Sequence, residues 1–213
     1  MGIGKIFNII EKETKNKHLP VVSFIKIQDN NPFKILVAGM LSARTNDKIT
    51  SKVCEKLFKK INNFKSLSRL TIKEIEKNIY PVGFYKTKAV HLKKLAAMIE
   101  NEFNGKIPKS IELLTRLPGV GRKTANLVMT EAFNLPAICV DIHVHRITNR
   151  IGYVKTPNPF QTEMILRETL PKKYWKKINR LFVMFGQSIC RPITPKCKTC
   201  PIEKYCMKIG VKL

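Results

Sequence analysis

"LTRLPGVGRKTANLVMTEAF", residues 114–133, is the stretch that decides how this chain is read. An apolar run with helical spacing stops at Leu117-Pro118-Gly119-Val120-Gly121, and a second begins at once with Arg122 and Lys123. Adjacent proline and glycine punctuate helices, so the stretch predicts two short helices joined by a tight hairpin. Gly119 and Gly121 are expected to permit backbone conformations closed to other residues and to bare peptide N–H groups. Such groups at a helix start form an anion site suited to phosphate, with Arg122 adding charge beside it. An ordinary helix corner explains the same five residues equally well. Lys123 is the oddity. A helix start carries partial positive charge, so a cation there is disfavoured, and partial burial would disfavour it further. The neutral amine then becomes the more available form, which is the form Schiff-base chemistry uses.

The whole chain bears on that choice. Its 213 residues hold one large domain or two small ones, and 44% hydrophobic content is enough for a real core. Forty Lys+Arg against fifteen Asp+Glu leave a formal charge of +25. A surface this basic repels itself, and a polyanion such as nucleic acid is the natural partner. A lysine-rich solvated surface is the plainer alternative. No stretch has the order of a signal peptide, and the longest apolar run, residues 35–41, is too short to span a bilayer. A soluble intracellular protein is expected: cytoplasmic, and nucleoid-associated in a prokaryote, with no membrane role.

Helical periodicity dominates. Ile3, Ile6, Phe7 and Ile10 mark one face of a first helix. Asn31-Pro32 reads as cap and first-turn proline for 33–43. Asn46 or Asp47 caps the next helix, whose inner stripe is expected to be Ile49, Val53, Leu57 and Ile61. Thr71 with Glu74 forms a capping box before Ile72, Ile75 and Ile79. Further helices are predicted over 86–103, ended by Gly105, then from a Ser110 cap to 116, and over 122–133, 141–151, 161–170 and 175–189. Two short runs, 21–27 and 136–140, have strand-like composition without evident partners. The fold class is all-α.

Cys54 and Cys139 lie in apolar surroundings and read as buried small hydrophobes. Cys190, Cys197, Cys200 and Cys206 crowd into the tail among prolines, where no helix is expected. Four thiolates at that spacing suit zinc or a [4Fe–4S] cluster, and the absence of paired C-x2-C motifs leans towards the cluster. Asp141, in "VDIHVHR", is by itself a routine N-cap, and His143 and His145 do not share a helix face.

"LPGVGRKTAN", then "VDIHVHR", then the C-x6-C-x2-C-x5-C tail resemble the endonuclease III family of DNA repair glycosylases, with "MLSARTND" and "VGFYKTKA" in support. The resemblance implies a two-lobed helix-hairpin-helix glycosylase fold. One lobe is a six-helix barrel over 23–135, with the hairpin at about 111–130; the other combines 1–22 with 136–213 and carries the iron–sulfur loop 190–206. It implies a bifunctional enzyme that extrudes a damaged or oxidised pyrimidine from double-stranded DNA and then cleaves the abasic site by β-elimination. Lys123 would be the nucleophile, and Asp141 would activate it or stabilise positive charge on the sugar. The four cysteines would hold a [4Fe–4S] cluster that shapes a basic loop, with Lys196 and Lys198 aimed at phosphates. Arg44, Gly119, Gly121, Arg122 and His143 would join them in contacting DNA. Arg44 stands where many bacterial relatives have glutamine, at the position expected to fill the hole left by the extruded base. An arginine there can still wedge, but the opposite-base preference becomes an open question. A mismatch glycosylase and a non-enzymatic DNA-binding module are the alternatives. A monomer suffices for one groove per chain.

Overall fold

The computed structural model describes residues 2–211, with side chains for all of these except 26 and 27. Every regular element among them is helical. The chain divides into two compact units, Val21–Leu135 and Met1–Pro20 with Pro136–Leu213.

The first of these contains α2 (Val21–Asp29), α3 (Pro32–Ser42), α4 (Asp47–Lys60), α5 (Phe64–Arg69), α6 (Ile72–Ile79), α7 (Tyr85–Phe103), α8 (Ile111–Arg116) and α9 (Arg122–Glu131). Its centre is α3, buried on all sides from Ile35 to Leu41 and packed on α2, α4 and α9. Gly39 lets α9 come close: a Cβ there would lie 3.3 Å from Thr124 Cγ2. That contact seats the first turn of α9 against the core. The other unit contains α1 (Ile3–Thr14), α10 (Ile142–Arg150), α11 (Pro159–Thr169) and α12 (Trp175–Ser188). Its core joins Phe7, Ile10, Ile147, Leu166, Ile178, Phe182 and Phe185. Phe7 stacks on Tyr174 with centroids 4.2 Å apart and leans on Phe182 at 5.3 Å.

Local signals set most helix starts. Asn31, Asn46, Asn63, Thr71, Ser110, Asp141 and Asn158 each accept a backbone N–H of the helix that follows. Neither strand-like run is a strand, in keeping with the all-α reading: 21–27 lies in the helix α2, and 136–140 has no regular structure. Two expectations need correction. In α4 the buried stripe is Thr50, Val53, Cys54 and Leu57, at i, i+3, i+4 and i+7. Ile49 precedes that stripe by one residue, a rotation of about 100°, and is exposed. The cysteine tail is not wholly irregular: 3-10 turns form at Cys197–Thr199 and Glu203–Tyr205.

Candidate active site and DNA interface

The hairpin joins α8 to α9 through residues 117–121, with Leu117 and Val120 buried beneath it and Gly119 and Gly121 at the surface. Val120 N–H donates to the Leu117 carbonyl at 3.0 Å and closes the turn. The two glycines differ. Gly119 has φ +77°, and a Cβ there would lie 2.8 Å from His91 Nδ1, so only glycine fits. Gly121 has φ −84° and ψ 169°, ordinary extended backbone, and a Cβ would meet nothing within 4 Å. Conformational need therefore explains Gly119 and not Gly121. Gly121 is the N-cap of α9 and supplies no side-chain cap, unlike the helices begun by Asn, Ser, Thr or Asp. The start of α9 thus presents backbone N–H groups and a smooth surface, with Arg122 beside it.

Lys123 occupies the first turn of α9. The partial burial expected for it is not observed; the residue is exposed. The inward face of α9 is made by Thr124, Ala125, Leu127 and Val128, which leaves position 123 outside.

Arg44 lies between α3 and α4, exposed, with φ +53°. Its guanidinium sits over the ring of Phe84, 5.6 Å from the centroid. Phe84 is itself 61% exposed, with φ +59°, at the start of α7. Non-glycine residues in this left-handed region cost roughly 1–2 kcal/mol each, so the surroundings must hold both. Sequence reading noted the stretch containing Phe84 but gave that residue no role. The signal was a large aromatic directly after Gly83, where a turn would expose it. Below the pair, Lys88 of α7 is only 9% exposed, and its ammonium donates to the Leu41 and Ala43 carbonyls and to Thr45 Oγ1 at 2.8, 2.6 and 3.2 Å. Burial lowers the Lys88 pKa to about 8. Its three oxygen partners, two of them at the carbonyl end of α3, favour the ammonium and keep it protonated at neutral pH.

In the other unit Asp141 is buried and caps α10. Its Oδ1 accepts from His143 N–H and Val144 N–H, each at 2.9 Å. The carboxylate is therefore held in one orientation at the positive end of the helix dipole. His143, half-buried, has Nδ1 3.0 Å from an Arg146 guanidinium nitrogen. Arg146 also donates to the Cys190 and Gly186 carbonyls. Lys196 and Lys198 are both exposed.

Cys190, Cys197, Cys200 and Cys206 form no disulfide and together line one small cavity of about 20 Å³, walled by Ile147, Ile151, Phe185, Ile189 and Ile202. Among the described residues no group of three or more His, Cys, Asp or Glu is arranged to hold a single metal ion. Burial pushes the Cys200 thiol up to about 11 and raises Cys206 as well. Donors nonetheless point at sulfur: Arg150 to Cys190 Sγ at 3.5 Å and Lys208 N–H to Cys206 Sγ at 3.4 Å. The donor set, the thiol-directed N–H groups and the apolar wall fit an iron–sulfur cluster. Arg150, buried, also donates to the Arg191 and Pro192 carbonyls, both at 2.7 Å, and fastens the loop to α10. No helix among the described residues is long and apolar enough to cross a membrane.

Known proteins match this arrangement. The family model of HhH-GPD superfamily base excision DNA repair proteins matches residues 37–172. Endonuclease III of Thermotoga maritima is 39% identical over 179 residues, 84% of either chain. A non-covalent endonuclease III–DNA complex superposes with a TM-score of 0.86 at 33% identity, covering 97% of this chain and 94% of that one. A trapped endonuclease III–DNA covalent intermediate superposes with a TM-score of 0.85 at 32% identity, covering 98% and 97%. With the family model matching residues 37–172 and endonuclease III identity extending over 84% of either chain, the chain belongs to the endonuclease III family of HhH-GPD base excision DNA repair proteins.

Proposed function

We propose that Lys123 and Asp141 carry the chemistry of a base excision repair DNA glycosylase and abasic-site lyase acting on damaged pyrimidines. What supports the assignment is an exposed lysine on the first turn of a helix whose N-terminus has a glycine cap and no capping side chain. Phosphate held at that turn brings deoxyribose to the amine.

The neutral Lys123 amine attacks C1′, forming a C–N bond as the glycosidic bond breaks and its electron pair leaves with the base, which takes up a proton. Loss of the amine proton and opening of the sugar ring give an iminium. Removal of a C2′ proton then expels the 3′ phosphate, and water hydrolyses the imine to return the lysine. Asp141 accepts the proton that Lys123 must lose, or stabilises the positive charge on the sugar. Its two backbone N–H donors fix the orientation for either role. Gly119, Gly121 and Arg122 hold the backbone, and His143, Lys196 and Lys198 extend the contact. Arg44, with Phe84 under its guanidinium, fills the gap left by the extruded nucleotide, offering an aromatic face for stacking.

Cys190, Cys197, Cys200 and Cys206 would hold a [4Fe–4S] cluster, which when bound ties the basic loop into one shape. Two assays test the scheme. Borohydride with abasic-site DNA should trap a covalent adduct, absent in Lys123→Ala; an adduct that survives the substitution removes Lys123 from the role. Iron and sulfide analysis should give about four of each per chain; zinc in their place would refute the cluster.

A further inference from the structure

Two turns that are distant in sequence are knotted together below the Arg44–Phe84 pair. Lys88 directs its ammonium at Leu41 O, Ala43 O and Thr45 Oγ1, which uses all three of its N–H donors. Thr45 Oγ1 in turn accepts from Gly83 N–H at 3.2 Å. Gly83 lies so close to the other turn that a Cβ would be 2.6 Å from Arg44 O. Turn 43–46 and turn 80–84 are therefore one unit with Lys88 as its common anchor. Each contributes one exposed non-glycine residue in the left-handed region, Arg44 and Phe84. Neither conformation is favoured by its own residue, and neither side chain is pinned by burial. Their shared placement comes from the polar knot beneath them.

We propose that Lys88 is a positioning residue for base extrusion: its ammonium sets the backbone from which Arg44 and Phe84 enter the duplex. This rests on the reading of Arg44 as the residue that fills the vacated stack. Lys88 does not meet DNA in this scheme. It acts through the two turns, and its loss frees them to relax towards unstrained backbone with Arg44 and Phe84 splayed apart. Steps that require filling a stacked duplex should suffer, and attack on an abasic site already lacking a stack should not.

The experiment compares Lys88→Met, Arg44→Ala and the double variant on two DNAs. One is a duplex carrying a single 5,6-dihydroxydihydrothymine; the other is a single-stranded oligonucleotide with one abasic site, read by borohydride trapping. Lys88→Met should lower kcat/KM on the duplex by about tenfold, as a misplaced binding group does. It should leave trapping on the single strand within about twofold, and in the Arg44→Ala background it should add less than about twofold. Equal losses on both DNAs, or full additivity with Arg44→Ala, overturn the proposal and leave Lys88 a structural cap. If Arg44→Ala alone leaves the duplex reaction unchanged, the reading beneath the proposal is what fails. Thr45→Val provides a second route should Lys88→Met not fold. It keeps both carbonyl bonds to Lys88 and removes the hydroxyl that accepts from Lys88 and from Gly83 N–H, so the turns lose their direct link. The same duplex-selective loss, cancelled by Arg44→Ala, is expected; unchanged duplex activity overturns the proposal.

Discussion

Gly119 and Gly121 look interchangeable in the sequence, and the structure predicts that replacing each by alanine does opposite things. At Gly119 alanine must adopt φ +77° and place its methyl 2.8 Å from His91 Nδ1 and 2.9 Å from His91 Cβ. The left-handed conformation costs about 1–2 kcal/mol, and forcing the His91 ring aside costs about 1–3 kcal/mol. A total of about 3 kcal/mol lowers Tm by roughly 10 °C in a chain of this length. At Gly121 alanine keeps φ −84° and meets nothing. Alanine is a poorer N-cap than glycine by up to about 1 kcal/mol, and its narrower unfolded ensemble returns about 0.4–1 kcal/mol. The two nearly cancel, so Tm should hold. DNA affinity should not: the new methyl stands where phosphate meets the start of α9, and a loss of about tenfold, or 1.4 kcal/mol, is expected. Thermal melts and duplex titrations at fixed salt measure both quantities. Equal drops in Tm would refute the conformational argument, and wild-type DNA affinity in Gly121→Ala would refute close approach of the backbone to phosphate.

Glu74 caps α6 through bonds from Thr71 N–H and then the Thr71 hydroxyl, which hold its carboxyl below the usual 4.5. A depressed folded value means the cap stabilises fully above the unfolded pKa and is lost as pH falls through the folded one. The stability gap between wild type and Glu74→Gln should therefore shrink from pH 7 to pH 3 in urea unfolding, and a constant gap would contradict it. DNA binding should weaken steeply with salt, and Lys196→Ala with Lys198→Ala should flatten the log–log slope by about 2; an unchanged slope removes these lysines from the interface. Arg150→Met strips three hydrogen bonds from the cysteine loop. It should cost about 3 kcal/mol and reduce iron per purified chain, whereas full iron content at wild-type Tm would show the loop holds without it.

The family was legible because local signals carry it. A Pro-Gly hairpin, a lysine after it, an N-cap aspartate and four cysteines are each recognisable within a few residues. Helix starts were legible for the same reason, since Asn31, Thr71 and Ser110 cap their helices by contacts two or three residues away. Three features were not. The run at 21–27 is too apolar to show a period, so its composition resembles a strand. With six residues, α5 is too short to display one. The knot under Arg44 joins residues 38 to 47 apart, and nothing near Lys88 in sequence announces that its ammonium is spent on carbonyls. Gly121 shows the converse error, where a residue type suggested a conformational need that the backbone does not have.

The charge of +25 first pointed to a polyanion, yet the structure separates cations by what their donors already do. Lys88 and Lys93, both on α7, point into carbonyl ends: Lys88 at α3, Lys93 at the Ser68 and Leu70 carbonyls that end α5. Arg146 and Arg150 bind loop carbonyls from within their unit, and Lys177 and Lys208 pair with Glu11 and Glu203. Substituting any of these changes net charge as much as substituting Lys196 does. The consequences differ in kind, because a donor committed to a carbonyl or carboxylate neutralises no phosphate and releases no counterion. Loss of Lys93 or Arg150 should lower stability and leave the salt slope alone, while loss of exposed Lys196 or Lys198 should do the reverse. Composition points to a polyanion; burial and hydrogen-bond partners decide which cations meet it.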